Sequence, residues 1–148
     1  MRISKKCQYA LRAVFELSWR NTSQPVKISE IARAQHISAR FLEVILNQLR
    51  HSGFVESRRG NEGGYLLARP AEEITVGQII ESVQGPISVI PNDEEKVNNN
   101  GFLGNYAFEQ LWQRVNSQVS KIYSDVTLAE LVKNEMEKKT ASVPNYTI

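Results

Sequence analysis

The stretch from Ser29 to Leu67 constrains the fold of this 148-residue chain more than any other. Ser29-Glu30-Ile31-Ala32-Arg33-Ala34 reads as a capped short helix, and Gln35-His36-Ile37 as a tight turn. Ser38 then caps a longer helix over about 39–52, with Phe41, Leu42, Ile45, Leu46 and Leu49 as its apolar stripe. Gly53 stands just past its end, where glycine is favoured. Residues 54–58 and 65–68 read as strands separated by the glycine-rich turn Arg59-Gly60-Asn61-Glu62-Gly63-Gly64. Two helices joined by a 3–4-residue turn form a helix-turn-helix, and a hairpin directly behind them makes a winged helix.

The flanks support a small, mainly α protein. Ser4 caps a predicted helix over 4–20, which the turn residues Asn21 to Pro25 end. Thr75 caps another over about 76–84, with Val76, Ile79, Ile80 and Val83 on one face. Residues 86–104, rich in proline, asparagine, acid and glycine, read as a long loop. A strongly amphipathic helix over 105–123 follows. Thr127 then caps a last helix to about Lys138, and the tail over 140–148 is expected to be loose. The fold class predicted is mainly α with a small β-hairpin wing (α+β). The organisation predicted is a winged helix-turn-helix over 1–85, a variable or effector loop over 86–104, and a dimerisation helix plus C-terminal helix over 105–148.

The helix over 105–123 bears on assembly. Phe108, Leu111, Trp112, Val115, Val119 and Ile122 fall at helical spacing, and such a stripe must be buried somewhere. The winged-helix segment supplies its own core. A second copy is therefore the expected partner, with packing against the chain's own domain as the alternative.

Charge separates the two halves. Residues 1–70 hold 12 Lys/Arg against 5 Asp/Glu, and residues 71–148 hold 6 against 11. A basic half joined to an acidic half points to nucleic acid on the first half only. There the second helix of the pair would enter the major groove by its N-terminal residues, Ser38, Ala39, Arg40, Phe41 and Glu43. Arg40 can donate to guanine or phosphate. Glu43 can accept from cytosine N4, or else complement the helix dipole as a first-turn acid. Arg58, Arg59 and Asn61 project from the hairpin towards a minor groove, where arginine reads width and potential. Arg2, Lys5, Tyr9 and Ser29 are candidate phosphate contacts, with Lys6 and Gln8 beside them; a merely solvated surface serves the lysines equally well.

Other chemistry finds little material. The single cysteine, Cys7, forms no internal disulfide and excludes a site built from several thiolates of one chain. It is a redox candidate only if exposed with a lowered pKa, which Lys5, Lys6 and a helix N-terminus would favour. His36 and His51 read as surface or packing residues. No nucleophile–His–acid set, metal-ligand spacing or cofactor loop appears, so no enzyme and no metal site are predicted. No apolar run approaches a bilayer span and no signal peptide is legible, which predicts a cytoplasmic protein away from membranes.

As a set these residues resemble the Rrf2 family of winged-helix regulators, which includes IscR-, NsrR- and CymR-type members. The resemblance rests on Ile3-Ser4-Lys5 with Tyr9-Ala10-Leu11, on Ile28 to Ala32, and on Ile37-Ser38 with Phe41-Leu42-Glu43 and Leu49-Arg50. It continues through Arg59-Gly60, Gly63 to Leu67, Thr75 to Ile80 and Gln84-Gly85-Pro86. It implies a homodimeric transcription factor, usually a repressor, on a palindromic operator. Ser38, Glu43 and Arg59 carry over as the DNA-reading positions, with Phe41 beside them. Cluster-binding members carry three cysteines in the loop corresponding to about 90–106, and this chain has none there. The resemblance thus implies no iron–sulfur cluster of the usual kind, and a branch that senses through a partner enzyme or thiol chemistry; a protein or small-molecule effector is the further partner to expect. Two alternatives remain: a regulator acting chiefly through a complex with a metabolic enzyme, and a cluster held by non-cysteine ligands such as Asp93, Glu94 or Glu95.

Overall fold

The computed structural model describes residues 2–89 and 103–142. Six helices and a two-stranded hairpin follow in the order α1 (Lys5–Arg20), α2 (Ile28–Gln35), α3 (Ala39–His51), β1 (Val55–Arg58), β2 (Gly64–Leu67), α4 (Val76–Gln84), α5 (Asn105–Asp125) and α6 (Leu128–Ala141). A single 3-10 turn over Ala71–Glu73 precedes α4. Most of the expected loop over 86–104, including Asp93, Glu94 and Glu95, and the end of the tail lie outside the described residues.

Side-chain caps start the helices where the sequence places them. Ser4 Oγ accepts from the Cys7 amide at 3.1 Å, Ser38 Oγ from Phe41 at 3.2 Å and Thr127 Oγ1 from Glu130 at 3.1 Å. Thr75 and Gln78 cap α4 reciprocally, each side chain accepting from the other's amide. Ser29 is the exception. It sits exposed inside α2, which starts two residues after Val26, with Lys27 at the cap position. Lys27 has no side-chain acceptor to offer. Instead Glu30 Oε2 accepts from the Lys27 amide at 3.1 Å, and the Lys27 carbonyl accepts from the Glu30 and Ile31 amides.

α1 is the central element, packed against α2, α3, α4, α6 and β2. Its Ala10, Ala13, Val14 and Leu17 join Ile31, Leu42, Ile45, Leu46 and Leu49 from the helix pair in one core. β1 and β2 pair antiparallel, with Val55 opposite Leu67 and Arg58 opposite Gly64. Val26 bridges to β2 from outside the hairpin by exchanging both backbone hydrogen bonds with Tyr65 at 2.9 Å. This crossing requires Gly64, because a Cβ there would collide with the Val26 carbonyl.

The C-terminal helix belongs to the winged-helix body. α6 buries Leu128 in the main core and docks on α1, where Lys139 Nζ sits 4.4 Å from the centre of the Trp19 ring. A backbone bridge secures its start. The Val76 amide donates to Val126 and the Leu128 amide to Ile74, both at 2.9 Å. Among the described residues, α5 is tethered near its middle and C-terminal end. Val119, Tyr123 and Val126 pack on a second cluster of Cys7, Val76, Ile80 and Ile87, and Gly77 lets α4 approach the backbone of Tyr123 and Ser124.

Candidate nucleic-acid interface

The helix-turn-helix is set by its junctions. Glu16 on α1 is 6% exposed, yet its carboxylate is satisfied: it accepts from Arg20 Nε and from Gln35 Nε2, both at 2.7 Å. Arg20 also donates to Glu30 at 3.2 Å. The network ties α1 to both ends of α2, so burial of the acid is compensated by ion pairing and hydrogen bonds. The Lys27 amide and then Arg20 hold the Glu30 carboxyl below its ordinary value. The i, i+4 spacing of Glu16 and Arg20 was the available sequence signal for this network, but the link to Gln35 needed the fold. Between α2 and α3 the chain reverses at His36, which has φ of 52° and closes α2 by donating its amide to Ala32. His36 is thus a turn residue with an exposed ring.

α3 has two faces. Leu42, Ile45, Leu46 and Leu49 are buried. Arg40, Phe41, Glu43 and Val44 are exposed. Among the described residues, Arg40 and Glu43 make no hydrogen bond or ion pair within the chain. Both are therefore available for base edges or phosphates. Ser38 uses its oxygen as a cap acceptor, and its O–H remains a donor for a phosphate. Tyr9 on α1 meets Phe41 edge to face, with ring centres 6.2 Å apart, so these two predicted residues form one patch. Arg2 and Lys5 are exposed at and just before the start of α1.

The wing follows α3 directly. Arg50 Nη1 donates to Ser57 Oγ at 3.2 Å, fixing the end of α3 to β1. Arg59 and Asn61 are exposed in the turn and make no polar contact within the described chain. Gly63 closes this turn by donating to the Gly60 carbonyl. Arg58 differs from Arg59. It pairs with Glu56 at 3.5 Å and lines a cleft of about 690 Å³ between the hairpin base, the end of α1 and α6. Leu17, Val26, Leu66, Val132 and Met136 line the same cleft. Among the described residues, Arg59, Asn61 and Glu62 are thus the unengaged polar side chains at the wing tip.

α5 buries none of its residues. Phe108, Leu111, Trp112 and Ile122 are exposed and Val115 is half-buried. Val119, also half-buried, packs in addition on the chain's own second cluster, because the C-terminal half of α5 lies against α4.

Cys7 fails both conditions for a redox sensor. It is fully buried, and desolvation pushes its thiol up from its ordinary value. The charges of Lys5 and Lys6 do not offset this burial. The same residue bears on iron. It is the chain's one cysteine, and no three His, Cys, Asp or Glu converge among the described residues. This donor set does not fit a thiolate-held cluster. Among the described residues, no helix is long and apolar enough to cross a membrane.

Comparison with known proteins meets this geometry. The Rrf2 family, described as iron-dependent transcriptional regulators, matches residues 3–134. The HTH-type transcriptional regulator CymR of Bacillus subtilis is 34% identical over 133 residues, covering 88% of this chain and 89% of the relative. The HTH-type transcriptional regulator IscR of Serratia proteamaculans is 33% identical, covering 91% and 81%. Among solved structures, CymR, the global cysteine regulator of B. subtilis, superposes with a TM-score of 0.79 at 30% identity, covering 90% of this chain and 98% of that one. IscR of T. potens superposes with a TM-score of 0.75 at 28% identity, covering 98% and 93%.

Proposed function

The chain belongs to the Rrf2 family of DNA-binding transcriptional regulators, which are not enzymes, and from that premise we propose that it is a homodimeric repressor of a palindromic operator. One observation carries the reading. The outward face of α3 presents Arg40 and Glu43 unpaired while its inward face is fully packed. A free polar face on a rigid helix is what base readout requires. Ser38, Arg40, Phe41 and Glu43 read the major groove. Arg59 and Asn61 reach the adjacent minor groove, and Arg2, Lys5 and Tyr9 hold phosphates. Ser29 is exposed on α2 and serves as a further phosphate contact in this scheme.

The dimer forms through α5. Its exposed Phe108, Leu111, Trp112 and Ile122 find on a second copy the burial that their own chain does not supply. Two α3 helices related by a two-fold axis then face half-sites of a palindrome. Repression follows where the operator overlaps a promoter. The signal enters through a small molecule or a protein partner, since the cysteine content does not fit a three-thiolate cluster.

The test is selection of duplexes from random sequence, followed by a salt titration on the winning duplex. A palindromic consensus with affinity falling steeply and log-linearly with salt supports the reading. Failure to enrich any sequence, or binding independent of salt, would overturn it.

A further inference from the structure

Within residues 2–89, two large apolar side chains are exposed, Phe41 at 58% and Val44 at 60%, and both stand on the outward side of α3. Phe41 has a neighbour in the Tyr9 ring. Val44 lies one turn beyond Arg40 and next to Glu43, with more than half of its surface open to solvent. Residues four apart share a helix face, so Val44 occupies the surface from which Arg40 would address bases.

A valine has no hydrogen-bonding group, so it can read only apolar surface. In the major groove a single standard base offers it: thymine, through its C5 methyl. Valine also suits the task by its stiffness. Branching at Cβ leaves one strongly preferred rotamer in a helix, so the two methyl groups point in a fixed direction. An exposed valine gains nothing in the free protein, whereas packing on a methyl group in a complex removes apolar surface from water.

We propose that Val44 is a specificity residue that selects thymine in each half-site, within about one base pair of the base that Glu43 contacts, a cytosine where its carboxylate accepts from N4. This inference rests on the reading of α3 as the recognition helix. It goes further by naming the base and the chemical group.

The experiment replaces thymine by deoxyuridine, one position at a time, in the duplex selected by the full-length protein. Only the methyl group is lost. Burial of one such group corresponds to about a fourfold loss of affinity per half-site, and to about fifteenfold when both halves are changed. At one thymine per half-site this loss is expected for the parent protein. For Val44→Ala it is expected to vanish, with parent affinity for the uracil duplex nearly kept. Circular dichroism confirms that the exposed substitution leaves the fold intact, and Phe41→Ala, tested alongside, should retain the sensitivity to uracil. If no uracil substitution near the base that Glu43 contacts weakens the parent, the inference is overturned while α3 still reads DNA. Uracil sensitivity that persists in Val44→Ala overturns it as well. Failure of the parent to select any duplex is a different result, because it removes the recognition helix itself.

Discussion

α3 and α5 are both amphipathic helices of this chain, and they meet opposite fates. α3 has 13 residues and buries four of them, Leu42, Ile45, Leu46 and Leu49, against α1 and α2. α5 has 21 residues and buries none. The buried stripe of α3 is covered by its own chain, which leaves the opposite face, with Arg40, Phe41, Glu43 and Val44, open for the proposed DNA contact. The apolar residues of α5 remain largely uncovered among the described residues, where Val119, Tyr123 and the following Val126 find cover on α4 and its neighbours. An apolar stripe therefore says that something must cover it. It does not say whether the cover comes from the same chain.

Four measurements break or sharpen this contrast. The largest effect is expected from a paired truncation. Leu46→Ala should destabilise the protein by about 2–5 kcal/mol in urea unfolding, as for a fully buried leucine. Leu111→Ala should cost the isolated protomer less than about 0.5 kcal/mol, and should instead weaken dimerisation in sedimentation equilibrium. Equal losses of protomer stability in the two variants would break the comparison. Next, Arg59→Ala should weaken operator binding by about 1–3 kcal/mol in a titration, with unfolding unchanged, because its guanidinium supports nothing within the described chain. Ser38→Ala removes the cap of α3, and should lower stability by about 1 kcal/mol and DNA affinity with it.

The smallest effect concerns pH. The native carboxyl of Glu30 lies below its ordinary value of 4.5, held there by the Lys27 amide and then Arg20. A depressed acid contributes stability fully above its unfolded pKa, and that contribution disappears as pH falls through the native value. Stability of the parent relative to Glu30→Gln should therefore decline below pH of about 4.5 and be flat above about 6. A difference that grows as pH falls would contradict the assigned direction. The group is about half exposed, so the change is expected to be slight.

Much of the winged helix was legible because its signals are local. Ser4, Ser38, Thr75 and Thr127 announce helix starts by an interaction that spans three residues. The hairpin is announced by the glycines between two short apolar runs. Ser29 misled for a related reason. Serine is a favoured cap, but Val26 pairs with Tyr65, and that pairing moves the start of α2 back to Lys27. The Glu16–Gln35 link was hidden because 19 residues separate its ends. Cys7 was ambiguous for the same reason. Its neighbours in sequence are lysines, whereas its neighbours in space, Val76, Ile80 and Ile87, come from beyond residue 75.

The candidate interface divides along this line. The sequence determined that a capped helix with Arg40 and Glu43 in its first turns follows a tight turn, and that a basic, glycine-rich hairpin follows it. These properties depend on residues within a few positions of one another. Only the tertiary structure decided that Arg58 lines a cleft with residues of α1 and α6 while Arg59 does not, and that Val119 packs on α4 and its neighbours while Leu111 stays exposed. It also sealed Cys7 away from solvent. Periodicity gives the angle of a side chain around its own helix. Which neighbour fills that direction depends on how the elements close over α1, and that is settled by packing between residues far apart in the chain.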